Sequence, residues 1–304
     1  MRGLRLSALA FVSLLSRLST ISTTLVPPAS PERLPGPLKH GFGQDALVHS
    51  LRRLGLRSGQ TALVHASLRS IGTIDGGVAT LAGALMRVLG AGGTLVVPTF
   101  TSGNSETSHA YRAVTRGMTD EEIRAYRDSM PAFDVRRSSA IECGSLAEHV
   151  RLLENAVRSE HPQTSFAAVG PTAESLMAGH DLTCHLGERS PLAKLAKAEA
   201  VVLLLGVGFD KCSAFHLAEY RYRPDPPEVR YGCVVQVDGR RTWTYYQDVV
   251  LDDRDFAECG AEMERTEKIR RGRVGKADSR LFSLPKAVAF AERWLSEKRG
   301  RAAE

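Results

Sequence analysis

Two side chains that could share a proton, His216 and Glu219, stand three positions apart in the chain. Residues at this spacing lie on one face of a helix. A neutral imidazole takes a proton from an amine efficiently when a carboxylate orients the ring and stabilises the imidazolium that forms. The pair therefore predicts a general base and its partner, and it also fits an ordinary salt bridge on a helix surface.

The segment before this pair indicates the edge of a sheet. Val201-Val-Leu-Leu-Leu205 is the most apolar run of the chain, and Gly206-Val-Gly208 follows it. Such a run is typical of a central strand covered on both faces. In sheets with parallel strands, sites collect beyond the carboxyl ends of the strands. We therefore expect the glycine loop and the helix after it, which Asp210 or Ser213 could cap, to border a crevice.

His161 is a second candidate base. It lies in Arg158-Ser-Glu-His-Pro162, and Ser165 and Phe166 follow shortly after. Pro162 disfavours αR geometry for the residue before it, so His161 is expected on a loop. The guanidinium, imidazole and hydroxyl donors of this segment would suit a phosphate or a thioester carbonyl. A single histidine on a loop is also a common surface feature.

A turn containing Gly76 and Gly77 precedes a predicted helix at residues 78–89. Strands predicted at residues 61–65 and 94–99 flank this turn and helix, which gives a βαβ unit. Backbone N–H groups at a helix N-terminus bind anions, so the turn could hold a phosphate. Two glycines before a helix also form plain tight turns.

The remaining pattern predicts an α/β fold. Residues 101–134 are polar and predict an insertion with one short helix, and the turn Asp238-Gly239 predicts a β-hairpin. Apolar residues at helical spacing predict further helices at residues 44–54, 146–157 and 284–295. The expected architecture is a mixed, largely parallel central sheet flanked by helices, with a polar insertion and a β-hairpin.

Length and composition limit the domain organisation. The chain has 304 residues, 43% of them hydrophobic, which suits one domain at residues 44–298. Residues 1–43 predict a disordered tail or weak targeting segment followed by a proline-rich linker. The apolar stretch at residues 6–15 is too short for a membrane span. Residues 299–304 are expected to be a C-terminal tail.

Charge and cysteine content indicate the compartment and the partners. The formal net charge is +6, but the basic residues are spread along the chain and aromatics make up only 6%. This distribution argues against nucleic-acid binding. The five cysteines include no Cys-x-x-Cys pair, which favours reduced thiols in a cytoplasmic protein. We expect a monomer or homodimer without a membrane or nucleic-acid partner and without a bound metal.

In order and separation, these segments resemble the aminoglycoside 3-N-acetyltransferase family over about residues 44–298. Any one motif is short, but their order is specific. Ala66 departs from the family pattern, in which a second serine is common at that position. The matching motifs include Leu63-Val-His-Ala-Ser-Leu68, Gly92-Gly-Thr-Leu-Val-Val-Pro-Thr99, Arg158-Ser-Glu-His-Pro162, Leu186-Gly-Glu-Arg-Ser-Pro-Leu192, Leu203-Leu-Leu-Gly-Val-Gly208 and His216-Leu-Ala-Glu219.

The resemblance implies transfer of an acetyl group from acetyl-CoA to the 3-amino group of a 2-deoxystreptamine antibiotic, which would confer resistance. By this likeness His216 is the general base, Glu219 is its partner and His161 is the second candidate, with direct attack by the amine and no acyl-enzyme. The implied acetyl-CoA contacts are Ser67, Leu68, Gly76, Gly77, Thr99, Ser165 and Phe166. A cationic antibiotic needs acidic walls, and the expected suppliers are Asp75, Asp120, Glu121 and Glu122.

Other interpretations stay open at this stage. The acceptor could be a different amine. A metal-dependent hydrolase could be built on Cys212, His216 and Glu219, but no second histidine stands at ligand spacing. A dinucleotide-binding loop at Gly206-Val-Gly208 would lack its third glycine. A binding protein that kept the fold without the chemistry would not need to keep both His216 and Glu219.

Overall fold

The computed structural model describes residues 41–300. The tail expected at residues 1–43 therefore lies outside the described residues, except for its last three positions. The strands are β1 Thr61–Ala66, β2 Thr94–Pro98, β3 Val157–Arg158, β4 Phe166–Val169, β5 Val201–Leu205, β6 Glu228–Val237, β7 Arg240–Val249, β8 Arg270–Val274 and β9 Ala277–Ser283. The α-helices are α1 Gln44–Leu54, α2 Leu68–Ile71, α3 Gly77–Leu89, α4 His109–Thr115, α5 Asp120–Ser129, α6 Ser145–Arg151, α7 Ala173–Met177, α8 Pro191–Lys197, α9 His216–Glu219, α10 Phe256–Thr266 and α11 Leu284–Gly300.

Seven strands within residues 41–300 form one mixed sheet in the order β3-β4-β2-β1-β5-β9-β8. The parallel pairs lie at its centre, where β1 pairs with β2 on one side and with β5 on the other. The outer pairs β2–β4, β3–β4, β5–β9 and β8–β9 are antiparallel. The predicted mixed α/β sheet is confirmed, and the carboxyl ends of its three central strands meet at one edge.

The central strands are apolar on both faces because each face packs against a separate layer of helices. On β5, Val202 and Leu204 point into a core formed with α7, α8, α10 and α11. Leu203 and Leu205 point into the other core, with α1, α3 and α6. This alternation explains why residues 201–205 read as an unbroken apolar run.

Several predicted boundaries are confirmed by local geometry. Helix α1 ends at Gly55, which adopts a positive φ of 116°. The hairpin β6–β7 turns at Asp238 and Gly239, whose φ angles of 49° and 73° fit the left-handed turn that short hairpins prefer.

Helix α11 extends to Gly300, so residues 299 and 300 belong to a helix and not to the expected tail.

Two predictions for the middle of the chain were wrong. The insertion at residues 101–134 contains two α-helices, α4 and α5, and not one. The helix expected at residues 146–157 ends at Arg151, and Val157 instead belongs to β3, where it pairs with Ala168. Val157 is in a strand because it pairs with a distant segment of the sheet. The helical periodicity of the sequence contains no information about that pairing.

The insertion packs on the hairpin and so reaches the edge of the sheet that holds the carboxyl ends. Tyr111 and Met130 of the insertion form a small core with Val234 of β6. Asn104 exchanges two hydrogen bonds with the backbone of Val234, at 2.8 and 2.9 Å. These contacts fix polar residues of the insertion above the end of β2.

Gly206 allows the chain to leave β5 toward α9. Its φ is 65°, and a Cβ atom there would lie 2.4 Å from Cβ of Ser70 and 2.9 Å from Cβ of Ala277. Both neighbours are anchored near the backbone, so neither can move aside easily. The turn therefore requires glycine for its backbone angle and for its space.

We predict that Gly206→Ala lowers the free energy of unfolding by about 2–4 kcal/mol, from positive-φ strain and overpacking together. Gly59→Ala is the matched control, because Gly59 also has a positive φ, 81°, but has no neighbour within 4 Å of the added Cβ. Its expected cost is about 1 kcal/mol. Urea unfolding of the two variants measures the difference, and equal losses would refute the steric part of the argument.

Candidate active site

A cavity of about 450 Å³ opens beyond the carboxyl ends of the three parallel strands. His65 and Ala66 of β1 line it, as do Pro98 of β2 and Val207 after β5. Its far wall is made by the segment from Asp210 to His216 and by Phe256 of α10. The position agrees with the general rule that sites in such sheets form where parallel strands end.

His216 and Glu219 form a hydrogen-bonded dyad at this cavity. Nδ1 of His216 lies 2.6 Å from Oε2 of Glu219. Because a carboxylate only accepts, Nδ1 carries a proton, and Nε2 is the nitrogen that holds the lone pair in the neutral ring. The ring packs against Phe256, with centroids 4.8 Å apart, and Nε2 has no hydrogen-bond partner among the described residues. The predicted orientation of the imidazole by the carboxylate is present.

Glu219 is buried, with 1% of its side chain exposed. Its second oxygen, Oε1, accepts a hydrogen bond from the backbone N–H of Asp252 at 2.9 Å and one from Arg299 at 2.7 Å. A buried carboxylate is tolerable when it is paired and hydrogen-bonded in this way. Glu219 is therefore part of a larger buried polar cluster and not of a surface salt bridge.

His216 also borders a second and larger cavity, of about 780 Å³. The two cavities share Phe100, Ser102, His216 and Asp253 in their walls. The second cavity lies under the insertion and beside the hairpin, with Arg112 and Tyr231 among its other lining residues. The imidazole thus stands between two spaces, each large enough for part of a substrate.

His65 adds a neutral imidazole beside the dyad. Burial, together with the nearby charge of His216, lowers the pKa of His65 to about 4. Its Nε2 lies 3.2 Å from the hydroxyl oxygen of Ser213. At neutral pH His65 therefore carries no charge that would oppose protonation of His216.

The thiols at the first cavity are not activated as nucleophiles. Burial raises the pKa of Cys143 and of Cys212 to about 12 in each case. The thiolate is the reactive form of cysteine, so both side chains are inert at neutral pH. All five cysteines lie within the described residues, and none forms a disulfide.

The second candidate base, His161, has a structural position. It is fully buried and lines neither cavity. Its Nδ1 accepts the N–H groups of Gln163 and Thr164, both at 3.1 Å, and its Nε2 donates to the carbonyl of Leu182 at 3.2 Å. Both ring nitrogens are therefore occupied, and the geometry does not support His161 as a base.

Three expected acetyl-CoA contacts are also internal. Thr99, Ser165 and Phe166 are fully buried and line neither cavity. The Thr99 and Ser165 hydroxyls accept hydrogen bonds from Nε of the buried Arg158, at 3.2 and 3.0 Å. Phe166 packs edge-on against Phe100, with ring centroids 5.4 Å apart. These residues hold the loop after β2 in place, since the donors and acceptors of this segment are paired with one another.

The other four expected contacts follow β1 in the chain and lie at the starts of helices α2 and α3. Ser67 caps helix α2, accepting the N–H of Ser70, and Leu68 begins that helix. Gly76 caps α3 with a φ of 78°, and Gly77 begins it. None of the four lines the 450 Å³ cavity, but Ser67 directly follows its lining residue Ala66. Their contacts with acetyl-CoA stay a prediction.

The acidic residues chosen from the sequence do not line either cavity. Asp75 accepts the N–H of Gly41 at 2.8 Å, away from the dyad. Asp120, Glu121 and Glu122 form the exposed first turn of α5, where Glu122 closes a capping box with Thr119. Negative charge in that turn favours the helix itself.

The carboxylates that do line the larger cavity are Asp252 and Asp253, which sequence reasoning missed. Asp252 pairs with Arg254 through two close contacts, at 2.7 and 2.8 Å. Asp253 makes no ion pair or side-chain hydrogen bond with any residue in the described part of the chain. The acidic run that follows the hairpin was the available signal for these two residues.

Among residues 41–300, no group of three or more histidine, cysteine, aspartate and glutamate side chains is arranged to hold a metal ion. None of the helices in the same range is long and apolar enough to cross a membrane.

The fold and the site together define a class of protein. An imidazole that is held by a carboxylate and lines two cavities suits an enzyme that moves a group between two substrates. Residues 63–296 match the sequence profile of a family described as aminoglycoside 3-N-acetyltransferase.

Individual relatives agree with this match. The SPbeta prophage-derived aminoglycoside N(3')-acetyltransferase-like protein YokD of Bacillus subtilis is 37% identical over 253 residues, which cover 83% of this chain and 92% of that protein. Aminoglycoside N(3)-acetyltransferase IX of Micromonospora chalcea is 34% identical over 281 residues, 86% of this chain and 97% of that protein. This chain belongs to the aminoglycoside 3-N-acetyltransferase family, whose members are acyltransferases.

Solved structures extend the likeness to three dimensions. The crystal structure of YokD superposes with a TM-score of 0.81 at 35% identity, over 86% of this chain and 96% of that one. AAC-IIIb in its binary complex with CoASH gives a TM-score of 0.73 at 29% identity, over 84% and 97% of the two chains. AAC-VIa bound to sisomicin also gives 0.73, at 28% identity, over 85% and 98%.

The buried histidines predict a pH dependence of stability. Burial lowers the pKa of His180 to about 4 and holds that of His161 well below its ordinary value, as it does for His65. An unfolded chain binds these protons near pH 6.5, whereas the folded chain does not, so stability rises with pH in this window. The stability that the neutral, buried histidines contribute is fully present above about pH 6.5 and is lost as the pH falls toward 4.

We therefore expect Tm to fall between pH 7 and pH 5, with a loss of about 1 kcal/mol or more for each buried histidine. His161→Asn removes one titrating group while its amide oxygen can still accept the two N–H groups. Its Tm should be lower at pH 7 but should depend less on pH. His49→Gln, an exposed substitution on α1, is the control. Parallel pH profiles for all three proteins would contradict this account.

Proposed function

We propose that this protein is an acetyl-CoA-dependent N-acetyltransferase that acetylates the 3-amino group of a 2-deoxystreptamine antibiotic. The observation that carries the proposal is the placement of His216, which lines both cavities while its Nδ1 is hydrogen-bonded to Glu219. Family membership supplies the reaction class. The CoASH complex of AAC-IIIb and the sisomicin complex of AAC-VIa support the two substrates.

The cavity at the strand ends suits the acetyl donor. For a phosphate of acetyl-CoA, the proposed binding position is the N-terminus of α3 at Gly76 and Gly77, because N–H groups in the first turn of a helix have no acceptor within the helix. Ser67 and Leu68 connect that helix to the cavity wall along the chain. Phe100, Val207 and Phe256 provide apolar surface for the pantetheine arm.

The larger cavity suits the amine acceptor. Arg254 neutralises Asp252, so Asp253 is the carboxylate that can pair with an ammonium group of the acceptor. Asp253 also borders the donor cavity, which brings that ammonium group close to His216. The cavity carries Arg112 as well, so only part of its wall is acidic.

His216 performs the proton transfer that this reaction needs. Aliphatic amines are protonated at neutral pH, and only the neutral amine attacks a carbonyl carbon. The ammonium group of the acceptor first loses one proton to solvent. The neutral amine then attacks the thioester carbon and forms the C–N bond, while Nε2 of His216 accepts the second proton and Glu219 stabilises the imidazolium that results. As the C–S bond breaks, the imidazolium returns this proton to the departing thiolate. The protonated thiols of Cys143 and Cys212 support direct transfer over a route through a cysteine acyl-enzyme.

The direct test is the release of free CoA thiol from acetyl-CoA in the presence of 2-deoxystreptamine aminoglycosides. Mass spectrometry and NMR then locate the acetyl group on the product. Acetylation at the 3-amino position supports the proposal in full. Thiol release only with another type of amine would favour the alternative, a related N-acyltransferase with a different acceptor, and failure to bind CoA would refute both.

We further propose a cytoplasmic location. Acetyl-CoA is a cytoplasmic metabolite, and the free thiols of all five cysteines suit a reducing compartment.

His216→Ala should lower kcat by about 100-fold or more, the usual contribution of a general base. Acetyl-CoA affinity should stay near that of the wild type, since the imidazole acts on the amine. Steady-state kinetics and calorimetric CoA binding provide the measurements. His161→Asn is the control and should keep most of the activity. If kcat is unchanged in His216→Ala and falls about 100-fold in His161→Asn, His161 and not His216 is the general base.

Asp253→Asn should raise the acceptor KM by roughly two- to fivefold, the factor for an exposed ion pair of about 0.5–1 kcal/mol. The effect should shrink at high salt, and the KM for acetyl-CoA should not change. Glu121→Gln removes an exposed carboxylate of α5 that lines neither cavity, and its acceptor KM should equal that of the wild type. A larger rise in acceptor KM for Glu121→Gln than for Asp253→Asn would indicate that the insertion supplies the acidic wall.

A further inference from the structure

Arg299, near the end of α11, donates hydrogen bonds to Glu219 of the dyad and to two residues beside it. Its Nη1 donates to Oε1 of Glu219 at 2.7 Å. Its Nη2 donates to the carbonyl of Asp252 and to Oδ1 of Asp255, both at 2.6 Å, and its Nε donates to Oδ2 of Asp255 at 2.8 Å. One guanidinium therefore joins the last helix, the dyad and the loop that borders the acceptor cavity.

Glu219 depends on this cation. A carboxylate with 1% of its surface exposed loses almost all of its hydration and needs an opposite charge and hydrogen bonds to stay ionised. Arg299 is the one cation that pairs with Glu219 among the described residues, apart from His216 itself. Burial works against the guanidinium charge, but hydrogen bonds to Asp255 and Glu219 outweigh it and raise the pKa of Arg299.

Arg299 lies outside the segment that defines the family match, which ends at residue 296. We propose that Arg299 is a positioning residue, which holds Glu219 ionised and aimed at His216 and at the same time fixes residues 252–255 at the acceptor cavity. This proposal rests on the proposed function of the dyad. It assigns a role to the end of α11, which touches neither cavity.

Removing Arg299 should change the proton affinity of the dyad in a defined direction. Other titratable or charged groups surround the dyad, but Arg299 is the cation in contact with Glu219. Loss of a neighbouring positive charge makes the dyad hold its proton more tightly. The pH at which His216 becomes an available base should therefore rise. The surrounding groups are His65 on β1, His185 before α8, Tyr231 on β6, Asp252, Asp253 and Arg254 after β7, and Asp255 before α10.

Arg299→Ala should lower kcat/KM by about ten- to a hundredfold, the range that a charge-assisted hydrogen bond represents. The acid limb of the pH profile of kcat/KM should move up by about half a pH unit or more. The KM for the acceptor should rise because residues 252–255 lose their anchor, while the KM for acetyl-CoA should not change. Arg299→Lys keeps the charge but cannot form every bond, so its pH profile should stay near that of the wild type while kcat falls.

The matched control is Arg293→Ala on the same helix. Arg293 is exposed and lies 3.9 Å from Glu267, away from the dyad, so its removal should leave the pH profile unchanged. A second test combines Arg299→Ala with Glu219→Gln. A neutral glutamine needs no cation, so the double variant should have the kcat of Glu219→Gln alone, while its KM for the acceptor still rises because residues 252–255 lose their anchor.

An NMR titration of the His216 ring measures the same shift without any turnover. It therefore tests Arg299 even if the wild type transfers no acetyl group to the aminoglycosides tried. If Arg299→Ala does not fold, the Arg299→Lys variant and its double variant with Glu219→Gln supply the comparison. A pH profile and a ring titration that both stay at wild-type values in Arg299→Ala, or fully additive losses of kcat in the double variant, would overturn the proposal.

Discussion

The burial of the Glu219 carboxylate is the constraint on which the site depends. A charge removed from water must be met by partners on every side, and here they come from His216, the backbone of Asp252 and Arg299. Each partner belongs to a different element of the chain. Because all three partners bind the same buried carboxylate, α9, the loop after the hairpin and the last helix meet at one point.

The topology of the sheet places that point where two substrates can meet. β1 lies between β2 and β5 in parallel, so the ends of three strands open one cavity. The insertion and the hairpin then enclose a second, larger cavity beside it. The turn at Gly206 directs the chain out of β5, and the segment that follows leads to α9, whose first residue, His216, lines both cavities. The location of the site and the position of its candidate base therefore both depend on the carboxyl end of β5.

Many polar groups near the site serve the fold and not the reaction. His161, Thr99 and Ser165 carry suitable donors and acceptors, yet each finds its partners inside the protein. Buried polar groups must be hydrogen-bonded, so a dense set of them in the sequence is as typical of an internal network as of a binding site. Exposure to a cavity distinguishes the two, and only His216 of the two candidate bases has it.

The sequence by itself determined the central strands, the hairpin turn and the His216–Glu219 pair, because strand hydrophobicity, turn residues and helical spacing are local properties. It also indicated the family through motifs in a fixed order. Only the tertiary structure decided that Val157 pairs in a strand, that Asp252 and Asp253 line the acceptor cavity in place of Asp75 and the α5 acids, and that Arg299 contacts Glu219 from 80 residues away. These contacts join distant segments, and no local pattern along the chain encodes which distant side chain will satisfy a buried charge.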